Sequence, residues 1–464
     1  MAPPPPRNQS DLPSPSPSEP GAVPAADRPQ TTLAALERFT CLAERCEDSC
    51  CRDWAVSLDR PSLDRLKAVM FPTPAGRDRL VHLLVLGSPS RHVDALGQVQ
   101  LDENGVCRLL DPDNRCSVQA AHGEAALPTT CAIFPRTALA VADRLEVGGS
   151  LGCPEISRLV LLSTDGLAMR PARRPMLTRD YVGKTVGGGP GGDPYADHFS
   201  RVRELLMSCF RRNASLGTRL VLAADFAHRV RDLLHKGTVA FDGPRGPFAE
   251  RALSAEIEET ASPALLASLD GDLAALAAPG DATASLIATW LVERRRLPHS
   301  PRFAALLDDI FASLRSELGA GAGDGLAGLA PGDLWRIYAR RRDALQSRAG
   351  ARSDLIFSNY CQHFLLRAPY TDAPTLLEHL TKLAIHLAAV RFLTVTHPEL
   401  AQRLAAPADA IEDARTLDRV AVHAIQTFTK VIGHHVEFTE TLLRPQGERT
   451  AFGFGRVVML AKFV

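Results

Sequence analysis

Two regimes of hydrophobic patterning divide this chain. From Leu33 to about Leu162, short apolar runs alternate with turn residues, the pattern of brief strands and small hairpins. Residues 99–101, a turn closed by Asn104-Gly105, and residues 106–110 predict one hairpin. Residues 138–142 and 145–147, joined by Asp143-Arg144, predict a second. Beyond residue 195 the period lengthens to that of helices. Val202, Leu205, Leu206, Cys209 and Phe210 recur at i, i+3, i+4, i+7 and i+8 as one apolar stripe. Leu376, Leu380, Leu383, Leu387 and Val390 form another, with Pro374 placed to open its helix. Residues 420–443 carry a third long pattern, and glycine-rich (319–332) and proline-rich (298–301) breaks separate the helices. No internal repeat is visible.

Composition sharpens this division. Ten prolines within residues 1–30 and almost no apolar side chains predict a disordered tail over 1–34. A cysteine-rich unit over 35–165, an Arg-, Pro- and Gly-rich linker over 166–194 and a helical domain over 195–464 follow. The content of 45% hydrophobic and 23% charged residues excludes a mostly disordered chain. Lys plus Arg and Asp plus Glu both total 53, and this zero balance argues against a protein that neutralises nucleic acid or an anionic membrane. Only six of the 53 basic residues are lysine, a bias that reads as a codon habit rather than a binding signal. Arg336, Arg340, Arg341, Arg342, Arg348 and Arg352 read as a solvated helix face. No stretch reaches eighteen uncharged apolar residues, so no membrane span is expected.

The cysteines carry the chemistry. Eight of ten fall between Cys41 and Cys153: Cys41, Cys46, Cys50, Cys51, Cys107, Cys116, Cys131 and Cys153. The opening Met-Ala-Pro-Pro-Pro-Pro-Arg lacks the apolar run of a secretory signal, so a cytoplasmic setting is expected, where clustered thiols point to metal rather than disulfides. Thiolates are soft ligands for zinc and for iron–sulfur clusters, and all eight are candidate metal ligands. They suffice for one four-ligand centre with spares or for two sites. Cys46-x3-Cys50 begins the radical S-adenosylmethionine loop, but Asp53 stands at its third position. Cys209 and Cys361 read as core residues. Two stretches fit G-x-G-x-x-G: the one over 187–192 contains proline and lies in the linker, the one over 323–328 follows a helical pattern rather than a strand, and both read as loops.

The run Phe39-x-Cys41-x4-Cys46-Glu-Asp-Ser-Cys50-Cys51-x2-Trp54-x-Val56-x-Leu58-Asp59 resembles the opening of the flagellin lysine-N-methylase family. So do Cys107 and Cys116 around Leu-Leu-Asp-Pro-Asp-Asn, Cys131-x2-Phe134-Pro135-Arg136, and Ser150-Leu-Gly-Cys153-Pro154-Glu155. That family overlaps a broader group of zinc- or iron-chelating cysteine-cluster domains. The resemblance covers residues 39–156 and extends to 355–445, where Ser358-Asn359-Tyr360 and Ile425-Gln-Thr-Phe428 to His434-His435 are similar to its helical tail. It implies methyl transfer from S-adenosylmethionine to protein lysines, with flagellin as the partner substrate and a 4Fe–4S cluster on the cysteines; zinc is the alternative metal. Asp59, Glu155, Tyr360 and His434 are proton-acceptor candidates by position only, each also suited to a cap, a turn or a buried hydrogen bond. The competing reading is a non-catalytic chelator that stores, delivers or senses metal. The expected fold is mainly α: a small cysteine-rich metal-binding unit with short β-hairpins, followed by an all-α helical domain.

Overall fold

The computed structural model describes residues 28–54, 56–86, 96–187, 194–234, 247–277, 280–295, 300–319, 326 and 328–432, together with 453–464. The proline-rich tail up to residue 27, His434, His435, most of both glycine motifs and the end of the third helical pattern lie outside the described residues. The chain divides into two compact units, each discontinuous in sequence. One holds residues up to Thr31, Leu42–Val147 and Pro171–Thr185; the other holds Thr32–Cys41, Gly148–Arg170 and Val186–Val464. Residues 32–41 and 148–170, which the hydrophobic pattern groups with the cysteine-rich stretch, therefore belong with the helices.

In the first unit, Gly97–Val99 lies between Val56–Leu58 and Leu84–Leu86 in an antiparallel three-stranded sheet. Val99 stands opposite Val56 on one side and Leu84 on the other. Val56, Leu58 and Val99 bury their side chains with Leu66, Met70, Leu80 and Leu83, which come from the helices Arg60–Met70 and Pro74–Leu83. Both helices begin at a side-chain cap. Asp59 accepts from Ser62 N at 2.7 Å and Thr73 from Gly76 N at 3.0 Å, each followed by a proline in the first turn.

The first expected hairpin keeps its turn but loses its second strand. Asp102 accepts from the amides of Asn104 and Val106 at 2.9 and 2.8 Å, and Gly105 takes φ +73°, which favours glycine. Past the single bridge from Leu101 to Cys107, Leu110 N closes onto Cys107 O at 2.9 Å and bends the chain away. The second hairpin forms from Arg136–Val141 and Arg144–Gly149, neighbours in a five-stranded sheet. Its outermost strands, Met169–Pro171 and Lys184–Val186, lie within the stretch that reads as linker. An edge strand needs only one hydrogen-bonded side, so three residues ending in proline can serve there.

The second unit is helical. Its long helix Pro331–Arg367 packs against Gly280–Arg295, Leu376–Thr396 and Ala410–Ile432. Leu376–Thr396 is buried along most of its length. Thr375, accepting from Glu378 N at 3.1 Å, rather than Pro374, sets its start. Cys209 and Cys361 are core residues, both fully buried. Among the described residues no single helix is long and apolar enough to cross a membrane, although the bent pair Pro263–Ala275 and Gly280–Arg295 passes that test together.

The arginine run on the long helix is largely an internal brace, which corrects its reading as a solvated face. Arg341 pairs with Glu317 and donates to Thr396 O at 3.1 Å, the end of Leu376–Thr396. Arg348 forks onto Asp413 at 2.6 and 2.9 Å and donates to Leu404 O and Ala406 O, at the end of Pro398–Ala405. Arg352 pairs with Asp418 and donates to Leu162 O at 3.1 Å, the end of Pro154–Leu161. Arg342 reaches Phe463 O, and from another helix Arg294 reaches Val431 O. Only Arg336 and Arg340 keep mostly exposed side chains. The last carbonyls of a helix have no partner within it, and a planar cation with five donors satisfies them while complementing the helix dipole.

Arg348→Lys keeps the charge but not the fork, and should cost about 1–3 kcal/mol in urea unfolding. Hydrogen bonds from Arg348, and after a counteracting burial effect those from Arg403, hold the Asp413 carboxyl below the usual carboxylate range. A lowered folded value gives stability that is present above the unfolded value of about 3.9 and is lost as pH falls through the folded one. Asp413→Asn should therefore flatten the fall in urea midpoint between about pH 5 and pH 3.

Candidate functional site

Backbone register assembles the thiols of the first unit. Cys107 N donates to Cys51 O at 2.8 Å and Asp53 N to Gly105 O at 2.9 Å, flanking the antiparallel bridge from Arg52 to Val106. Cys51 and Cys107 thus stand directly opposite each other, and their thiols are hydrogen-bonded. Cys116 sits across a second bridge from Leu110, and Cys131 lies on the short helix Thr129–Ile133. Cys107 is part of the core around Val56, Leu58 and Val99, and Cys51, Cys116 and Cys131 pack against it.

The electrostatics report the same proximity. The hydrogen bond with Cys107 favours the Cys51 thiolate, but the contact with Cys50 and burial outweigh it and push that thiol up to about 12. The bond with Cys51, then burial, raises Cys107. Burial raises Cys116. Burial and then the neighbouring Cys51, Cys116 and Cys107 raise Cys131. These groups are neutral thiols as they stand. All ten cysteines are free.

Among the described residues no group of three or more His, Cys, Asp or Glu side chains is arranged to hold a metal ion. The cysteine-rich unit is observed without a formed metal cage. Its donor set is nevertheless all sulfur, which suits zinc or an iron–sulfur cluster and not a hard cation such as magnesium. Closing on a metal would require these thiols to lose their protons and turn inward. Of the eight candidate ligands, the structure gathers Cys51, Cys107, Cys116 and Cys131, with Cys50 beside Cys51. Cys46 turns its sulfur to Asp48 O at 3.4 Å. Cys41 and Cys153 belong to the other unit, exposed and buried respectively.

In the second unit, the segment around Cys153 is held by side chains from distant helices. His363 hydrogen-bonds through Nε2 to Gly149 O at 2.6 Å; a carbonyl only accepts, so the ring nitrogen donates. Gln426 Nε2 donates to Gly152 O at 3.0 Å. Asn359 Nδ2 reaches Val160 O, Leu161 O and Ser163 O at 3.1, 3.1 and 2.9 Å, closing the end of Pro154–Leu161. At Gly149 any Cβ would stand 2.9 Å from Ile156 Cγ2, so the backbone approaches that helix too closely for a side chain. Burial brings His363 down to about 4, and it is neutral at pH 7.

Asn359 and Gln426 lie in two of the motifs that carry the family resemblance, and both hold a third motif, Ser150–Glu155. His363 carries no motif in the sequence; its one signal is its place four residues after Asn359, on the same helix face. The proton-acceptor candidates have other partners. Asp59 caps a helix, and Glu155 pairs with Arg158 at 3.0 Å. Tyr360 is buried, and burial raises its phenol well above the ordinary value. His434 lies outside the described residues.

Comparison with known proteins gives these features a family. The lysine-N-methylase of Salmonella typhimurium strain LT2 is 31% identical over 142 residues, covering 30% of this chain and 34% of that protein. The lysine-N-methylase of Salmonella choleraesuis is 30% identical over 140 residues, with the same shares. The flagellar biosynthetic protein FliU of Salmonella muenchen is 29% identical over 142 residues, covering 30% of this chain and 80% of that protein. The chain spans about a third of the length of the two lysine-N-methylases it matches. No solved structure matches. Residues 210–460, more than half of the chain, match the FliB lysine N-methylase C-terminal domain, and the chain belongs to that family.

Proposed function

We propose that this chain is a protein-lysine N-methyltransferase that uses S-adenosylmethionine, acts on flagellin in the cytoplasm, and carries a 4Fe–4S cluster on Cys51, Cys107, Cys116 and Cys131. The observation that carries the reading is the family match over residues 210–460. The names of the relatives, two lysine-N-methylases and a flagellar biosynthetic protein, support the reaction and the class of substrate.

The reaction asks for a neutral lysine amine aligned behind a methyl sulfonium, with loss of one proton. A free lysine ammonium releases its proton near pH 10.4, roughly, and an apolar surround lowers that value. Proximity and desolvation can then supply much of the rate enhancement. Neither Asp59 nor Glu155 is available as a base without breaking a helix cap or an ion pair, and Tyr360 stays protonated. His363, Asn359 and Gln426 keep the Gly149–Leu161 stretch in place rather than moving protons. Cys51, Cys107, Cys116 and Cys131 would hold a bound cluster, and the chemistry it would supply at these thiols is a cross-link. It would tie the turns at 50–54, 105–117 and 129–133 to one another.

The all-sulfur donor set also favours a second reading, a non-catalytic zinc or iron chelator. Transfer of labelled methyl groups from S-adenosylmethionine to flagellin by anaerobically purified protein tests the first reading. Metal-loaded protein that neither binds the donor nor transfers methyl groups would leave the chelator. Iron with acid-labile sulfide is the expected metal analysis, and stoichiometric zinc without sulfide would remove the cluster. Cys51→Ser and Cys107→Ser should each lose most of the metal, whereas Cys209→Ser and Cys361→Ala should retain it. Equal metal loss in all four would show that the ligands are misplaced.

A further inference from the structure

One arginine of the helical unit lacks the partners that the others have. Arg391, on Leu376–Thr396, is 4% exposed. Its guanidinium lies over the Phe357 ring at 4.8 Å, Nη1 donates to Ser353 Oγ at a long 3.5 Å, and the Tyr338 hydroxyl is within hydrogen-bonding reach. Its Nε is buried with no acceptor. No carboxylate among the described residues pairs with it, whereas Arg341, Arg348 and Arg352 pair with Glu317, Asp413 and Asp418.

Among the described residues, the groups that Arg391 touches are neutral. Ser353 is a hydroxyl and Phe357 a ring, and burial holds the Tyr338 phenol and the Cys361 thiol in their protonated forms. An arginine cannot shed its proton to escape burial, so this charge stands in the packed interior with no counter-ion among the described residues. A second observation concerns the surrounding wall. The long helix that supplies Tyr338, Ser353 and Phe357 breaks at Ala349, with φ −142° and ψ 32°, one turn before Ser353. No proline stands there, and Gly350 follows. The break thus lies one turn from Ser353, the hydroxyl that Arg391 reaches.

We propose that Arg391 receives the carboxylate of an amino-acid-bearing ligand, namely the methionyl end of the methyl donor. This rests on the methyltransferase reading. A single planar guanidinium with unused N–H groups matches a monoanionic carboxylate, which it can grip through two parallel bonds. A phosphate dianion would call for further cations, and the ring and neutral groups around Arg391 offer none.

The full-length protein tests this with S-adenosylhomocysteine and its carboxyl methyl ester, read by calorimetry and by thermal shift. Wild type should bind the free acid about 10- to 100-fold more tightly than the ester, the range expected for a charge-assisted pair. Arg391→Met should lose that preference, yet be at least as stable as wild type without ligand, because an unpaired buried charge has gone. Arg391→Lys should recover part of the preference. If Arg391→Met binds the acid as wild type does, or if wild type binds acid and ester alike, the proposal is overturned. Lower ligand-free stability with unchanged binding would make Arg391 a structural residue and also overturn it. Methyl transfer by wild type judges the underlying reading separately: transfer with an unchanged donor KM in Arg391→Met sinks only the carboxylate site, and absence of both transfer and donor binding sinks both.

Discussion

Guanidinium groups set against the carboxyl ends of helices hold the second unit together. Helix after helix among the described residues ends at a carbonyl that receives an arginine from elsewhere, as do Thr396 from Arg341, Ala406 from Arg348, Leu162 from Arg352, Phe463 from Arg342 and Val431 from Arg294. Arg341, Arg342, Arg348 and Arg352 also carry a carboxylate partner, so one planar group serves a helix end and an ion pair together. Lysine, with a point charge on a flexible stem, cannot do both in fixed geometry. The scarcity of lysine, which in composition looks like a codon habit, has a structural use at these positions.

The parts of the fold legible in the sequence are those set by local periodicity. The stripe from Val202 to Phe210 becomes the helix Phe199–Cys209 with its C-cap, and the turn at Asn104-Gly105 forms where the dipeptide places it. What escaped the pattern is long-range. Met169–Pro171 and Lys184–Val186 are three residues each, too short to show alternation against an Arg- and Pro-rich background. The arginines of Pro331–Arg367 look solvated because their carboxylates lie on other elements, 65 and 66 residues onward for Arg348 and Arg352 and 24 residues back for Arg341, where no helical period connects them.

The candidate site divides along the same line. The concentration of cysteines was plain, but which of them meet depended on the bridge between Arg52 and Val106 and on the bend after Cys107, neither of which has a sequence period. Within the second unit, three motifs that carry the family resemblance converge on one another. Asn359 and Gln426 serve backbone carbonyls of the stretch that contains Cys153. These motifs are in part the signature of a fold, because a buried carbonyl without a donor is costly and a side-chain amide at a fixed position meets that need.

That convergence bears on how the chain is made. The helix Pro154–Leu161 receives its terminal hydrogen bonds from Asn359, up to 199 residues later, and the loop before it from Gln426, 274 residues after Gly152. During synthesis the early segment leaves the ribosome long before its partners exist. At roughly 5–20 residues per second, the wait is on the order of ten seconds or more. Over that interval Ile156, Val160 and Leu161, all fully buried in the finished protein, lack the surfaces that cover them. Newborn chains are therefore exposed to chaperones and proteases at this segment, and completion of the C-terminal helices is the event that withdraws it.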